Sequence, residues 1–181
     1  MEKNQEEYES VVINSNILFS SLIKEEGFTR AIFLFLKGEK KIKFLIPSTV
    51  VKEFRLHIGE ISRKSRLTIN DVMNSFERLI DGAHQIDVTS IKEEATESME
   101  LVNDENDAPF VAVALKYKPS FILTYNKKDY KINKLRRLGI LVISPKEALD
   151  LIGIERLEVN TKERRKKNIF SYLAKLKLLK K

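Results

Sequence analysis

Oxygen-bearing side chains gather at four points where an apolar run gives way to polar residues. VVI is followed by Asn14, Ser15 and Asn16, and FLIP leads into STVVKEF, which carries Glu53. Asn103-Asp104-Glu105-Asn106-Asp107 precedes APFVAVAL, and FILT is followed by Tyr125, Asn126 and then Asp129. Carboxylates and amides of this kind suit a hard divalent cation, which takes oxygen ligands and keeps several of its waters. The chain has no cysteine, which excludes thiolate sites, and only two isolated histidines, His57 and His84, which disfavours a histidine-rich zinc centre.

Each of these residues also has a plain structural use. Asn14, Ser15 and Asn16 are all competent helix N-caps. Asp104 or Asp107 can cap the helix that follows, with Pro109 tolerated in its first turn. Glu53 then reads as an ordinary solvated side chain and Asp129 as a turn residue. The combination favours a cation, because one helix needs one cap and the APFVAVAL helix is led by two carboxylates a turn apart.

The elements that must position these groups alternate along the chain. Short apolar runs at 10–13, 43–46, 86–88, 120–123 and 141–143 predict strands. Helical periodicity predicts helices over 17–24 and 29–36, broken at Gly27, then 48–62, 69–80, 91–102, 108–117 and 146–152. Strand and helix in succession imply an α/β fold, a three-layer α/β/α sandwich around a central, mostly parallel sheet. Such sheets place their sites beyond the carboxyl ends of the strands, which is where all four polar clusters fall. No glycine-rich phosphate loop follows any strand, which disfavours a nucleotide-binding Rossmann reading.

Composition, 43% hydrophobic and 33% charged in 181 residues, predicts a soluble domain with one core. No membrane span is legible, and the polar start MEKNQEEYES is not a signal peptide, so the expected location is cytoplasmic. The organisation that follows is a polar segment over 1–9, the domain over 10–152, and a basic amphipathic extension over 153–181. The net charge is +7, yet residues 161–181 alone carry nine Lys or Arg against one Glu, leaving the body near neutral. Lys162, Arg164, Arg165, Lys166 and Lys167 are the candidate polyanion contacts, against the plainer reading of a solvated tail. Beyond them Ile169, Leu173 and Leu176 recur at helical spacing, giving a basic C-terminal helix that could dock on the domain, pair with a partner or lie on a membrane surface.

Taken in order, the four clusters resemble the PIN domain, a nuclease fold of toxin–antitoxin toxins and RNA-processing enzymes. The resemblance spans about residues 10–152. It rests on VVINSNILFSSLI, on Glu53 in PSTVVKEF, on Asp107 in DENDAPFVAVAL and on Thr124 with Asp129 in LTYNKKDY. Asp104 matches an acidic residue of one archaeal branch, and Asn126 stands where many members carry Asp. The resemblance implies a metal-dependent endoribonuclease in which Glu53, Asp107 and Asp129 hold one or two Mg²⁺ or Mn²⁺ ions. Water activated there would attack phosphorus in line and leave 5′-phosphate ends. It assigns Ser15 to a phosphate or a metal-bound water, Asn16 to orienting the first-strand ligand, and Thr124 to holding the fourth segment in register. RNA as substrate, a toxin role with an antitoxin partner, and a homodimer are further implications.

One position departs from the pattern. The family's first metal-binding Asp is here Asn14, which removes a negative charge and offers a carbonyl oxygen as the remaining ligand. Two accounts follow. Either Asp104 supplies the missing charge and the enzyme works with a shifted ligand set, or the domain is a catalytically weakened RNA-binding or protein-interaction module.

Overall fold

A computed structural model describes residues 9–24, 27–38, 42–118 and 120–152. Lys162, Arg164, Arg165, Lys166, Lys167 and the amphipathic helix expected beyond residue 152 lie outside the described residues. Five strands, β1 (Glu9–Ile13), β2 (Ile42–Pro47), β3 (His84–Ile86), β4 (Ser120–Leu123) and β5 (Ile140–Ile143), form one sheet. Its order is β3-β2-β1-β4-β5 and every neighbouring pair is parallel. In the central register Val12 lies between Leu45 and Ile122. The apolar VVI run is therefore covered on both faces, as a central parallel strand must be, and Val11, Val12 and Ile13 are all buried.

Eight helices are described: α1 (Ser15–Ile23), α2 (Phe28–Gly38), α3 (Thr49–Ser65), α4 (Ile69–Ile80), α5 (Lys92–Ser98), α6 (Ala108–Lys116), α7 (Ile132–Arg137) and α8 (Pro145–Ile152). Helices α1 to α4 pack on one another, and Phe54 of α3 stacks on Phe76 of α4 with ring centroids 3.8 Å apart. Helices α5 and α6 form a separate layer, in which α6 lies against β1, β2 and β4. That contact explains why α6 is apolar all round: Ala108 and every residue from Phe110 to Leu115 are buried. The chain steps from β1 to β2 and β3 in one direction, then returns through α5 and α6 to β4 and continues to β5. Right-handed crossovers in opposite directions put their helices on opposite faces, which gives the three layers. The reversal leaves a switch point between β1 and β4, the place where open α/β sheets open a crevice. Among the described residues no helix is long and apolar enough to cross a membrane.

The elements depart from expectation in three places. The third strand is His84–Ile86 and not 86–88; it is a half-exposed edge strand, and residues 88–90 form a 3-10 turn capped by Asp87. The helix expected over 91–102 stops at Ser98, because Val102 leaves the helix to bridge Tyr130 antiparallel. Helix α7 was not expected at all: its six residues, INKLRR, are too few for a periodic pattern to emerge.

Candidate functional site

The first cluster sits where β1 ends. Asn14 has extended backbone angles and is the N-cap of α1, its Oδ1 accepting from the Asn16 backbone N–H at 3.0 Å. A backbone N–H only donates, so the amide has one orientation, with its NH₂ pointing the other way. That NH₂ donates to Asp107 Oδ1 at 2.6 Å and to the Tyr130 hydroxyl at 2.8 Å. The carbonyl oxygen that the sequence offers as a cation ligand is thus engaged in capping the helix. Tyr130, buried, donates in turn to the same Asp107 Oδ1 at 2.8 Å. Ser15, also buried, donates to Glu53 Oε1 at 2.9 Å.

Asp107 occupies the N-cap position of α6 but makes no side-chain capping bond. Asp104 caps the 3-10 turn Glu105–Asp107, its Oδ1 accepting from the Asn106 backbone and side chain at 3.0 Å each. Asp129 ends a second 3-10 turn, Lys127–Asp129. The two acid-bearing loops are clipped together by the Val102–Tyr130 bridge, with the Asn103 N–H donating to the Asp129 carbonyl at 2.7 Å and the Lys131 N–H to Leu101 at 2.9 Å. Ligand oxygens of Asp104, Asp107 and Asp129 consequently lie within 4.8 Å of one another.

Among the described residues no Lys, Arg or His is paired with any of these three acids. Burial pushes the Asp107 carboxyl above its ordinary value, opposed by the Tyr130 and Asn14 donors and reinforced by the charges of Asp129 and Asp104. Burial and the Asp107 charge likewise push the Tyr130 phenol well above its ordinary value, so it remains a donor. Three carboxylates in close range without a counter-charge fit a hard divalent cation, since only an added positive charge relieves both desolvation and mutual repulsion.

Of the residues expected at the site, Asn14, Ser15, Glu53, Asp104, Asp107 and Asp129 therefore fall in one neighbourhood, though not in one ligand group. Glu53 reaches it through Ser15 and stands outside the three-carboxylate cluster. Asn16 and Thr124 form its floor: Asn16 Nδ2 donates to the fully buried Thr124 hydroxyl at 3.0 Å, and the Tyr125 N–H donates to Asn16 Oδ1 at 3.2 Å. These bonds lock the end of β4 against the start of α1. Asn126 contributes its backbone N–H to Thr124 Oγ1 at 3.1 Å, and its side chain is exposed. Tyr130 is the participant that sequence reading overlooked. Its only signal was position, directly after Asp129, since its partner Asn14 lies 116 residues away.

The PIN domain family model matches residues 12–128. No curated protein matches. Among solved structures the chain is similar to the crystal structure of VapBC2 from Rickettsia felis bound to a DNA fragment from their promoter. That likeness has 16% identity and a TM-score of 0.47, over 75% of this chain and 98% of that one. The matched span takes in the end of β1, its Asn-Ser-Asn turn, Glu53 and the acids leading α6, and covers more than half of the chain, so the chain belongs to the PIN domain family.

Proposed function

We propose that this protein is a divalent-cation-dependent endoribonuclease whose cation is held by Asp104, Asp107 and Asp129. The observation that carries the reading is the convergence of these three carboxylates within 4.8 Å, with Asp107 left free of the capping duty its position invites. Bound there, Mg²⁺ or Mn²⁺ supplies Lewis-acid polarisation of a phosphodiester and acidifies water. Tyr130 and Asn14 fix Asp107 through Oδ1, and neither engages Oδ2. Ser15 holds Glu53 at the β1 turn, while Asn16 and Thr124 keep the turn and the β4 end in register. Asp104 is the residue that offsets the charge missing at Asn14. A toxin role, an antitoxin partner, a homodimer, a cytoplasmic location and a nucleic-acid contact by the 153–181 extension belong to the same proposal and rest on sequence and family resemblance alone.

One observation favours a second reading. The Asn14 amide gives Asp107 a neutral donor where the family places a carboxylate, so the domain would then bind RNA or a protein without cutting. Both readings are tested by incubating an end-labelled single-stranded RNA with the unaltered chain, Asn14→Asp and Asp107→Asn, each in Mn²⁺ and in EDTA. The nuclease reading expects cleavage by the unaltered chain in Mn²⁺ that is lost in EDTA and in Asp107→Asn. Cleavage by Asn14→Asp alone gives the second reading, and RNA binding without cleavage by any of the three rules out nuclease chemistry.

A further inference from the structure

The near-neutral body conceals a second segregation of charge, on the segment that carries Asp129. Residues 127–137, KKDYKINKLRR, hold six Lys or Arg and one acid. The acid, Asp129, belongs to the carboxylate cluster, so the cations around it form a strip of their own. Lys127 and Lys128 lie on the same 3-10 turn as Asp129, and Lys134, Arg136 and Arg137 lie on α7. A cleft of about 330 Å³ runs along this strip, lined by Lys127, Lys128, Lys131 and Lys134 together with Tyr130. Tyr130 is also the residue whose hydroxyl touches Asp107, so one residue borders the cleft and contacts the carboxylate cluster.

The cations differ in what occupies them. Lys127 is paired with Glu147 at 2.5 Å, and the Lys131 ammonium donates to the Glu100 carbonyl at 3.0 Å. Lys128, Lys134, Arg136 and Arg137 are exposed and in no ion pair among the described residues. On a helix, positions three apart share a face, which sets Lys134 and Arg137 side by side. A polyanion approaching three uncompensated carboxylates is repelled unless neighbouring cations hold its flanking phosphates, and these are placed to do so.

We propose that the Lys127–Lys128 turn and α7 form the track for the phosphate backbone of a single-stranded nucleic acid, delivering one phosphodiester to the carboxylate cluster. The track rests on the nuclease reading for its destination, yet its binding can be measured without any cleavage. The full chain is titrated with a single-stranded oligoribonucleotide in EDTA at several salt concentrations, beside Lys128→Gln/Lys134→Gln/Arg137→Gln and the tail variant Lys162→Gln/Arg164→Gln/Arg165→Gln. Losing three phosphate contacts should weaken binding roughly tenfold or more near 0.1 M salt and flatten the log–log salt slope by about 2, at roughly 0.7 per contact on a single strand. Acylation of the unaltered chain gives a readout independent of any variant: bound RNA should shield Lys128 and Lys134 and leave Lys64, on α3, reactive.

Unchanged affinity and slope in the α7 variant, with Lys128 and Lys134 still reactive, overturn the track, as does an unaltered chain that binds no RNA. Failure of the nuclease reading looks different. The salt slope and the lysine shielding then hold, while no cleavage appears in Mn²⁺.

Discussion

Asn14 serves two structures at once, with its oxygen on the N-terminus of α1 and its amide on Asp107 and Tyr130. Asn14→Asp keeps the cap, for which Asp is as good as Asn. It removes a donor, however, and brings a second carboxylate against Asp107, which burial already disfavours as an anion. In EDTA the variant should lose about 1–3 kcal/mol, a fall in Tm of several degrees for a chain of this size, and Mn²⁺ should restore more than the loss. Asp107→Asn should do the reverse. A carboxyl whose folded pKa lies above its unfolded value costs stability when ionised, so neutralising it should raise the Tm in EDTA and abolish the Mn²⁺ response. Thermal melts of the three proteins with and without Mn²⁺ decide the matter; equal melting of Asn14→Asp and the parent in EDTA would mean that Asn14 does not face Asp107. From sequence the position could be read and its orientation could not, because the atom that fixes the amide is a backbone N–H visible only once α1 begins at Ser15.

At the scale of elements, the loop carrying Thr124 to Asp129 is fastened from outside by α8. Ser144 and Glu147 form a reciprocal capping box there: Ser144 Oγ accepts from the Glu147 N–H at 3.2 Å, and Glu147 Oε2 accepts from the Ser144 N–H at 2.8 Å. The other Glu147 oxygen takes Lys127, tying the cap to the turn that holds Asp129. Burial pushes the Glu147 carboxyl up, but the Lys127 ammonium and the Ser144 donors outweigh it and leave the group below its ordinary 4.5. With a depressed folded pKa the stabilisation is complete above 4.5 and is lost as pH falls through the folded value. Glu147→Gln keeps a residue able to close the capping box but loses the Lys127 pairing, so it should be slightly less stable at pH 7, and urea midpoints of parent and variant should converge as the pH is lowered below that range. Elements of this scale were legible where the pattern was long or strongly periodic: the helix expected over 69–80 is Ile69–Ile80, entered through Thr68. They were not legible where tertiary contact decides. Edge strand β3 has three residues with no fully buried side chain, and α5 ends early because Val102 is needed for the Tyr130 bridge.

At the scale of the molecule, β1 and β4 lie next to each other at the switch point although Asn14 and Ser120 are 106 positions apart, and topology alone brings the four clusters to one edge. The sequence showed strands, helices and clusters in the right order. It did not show that Glu53, held by Ser15, stands outside the cluster of three aspartates, nor that charge is segregated within the body as well as between body and tail. Since the folded chain gathers carboxylates that the unfolded chain scatters, Mn²⁺ or Mg²⁺ should stabilise the whole domain. Linkage gives about 2.7 kcal/mol at a hundredfold excess over Kd, a rise in Tm of roughly 5–10 °C. EDTA should reverse the rise, and Asp104→Asn should lessen it. The clip between Val102 and Tyr130 also has a bearing on timing. A growing chain cannot close it until residue 130 has left the ribosome and β4 has docked beside β1, so the carboxylates at 104, 107 and 129 stay apart through most of synthesis. Chains cut short before residue 129 carry neither Asp129 nor Tyr130, so abortive translation products of this protein cannot assemble the three-carboxylate cluster.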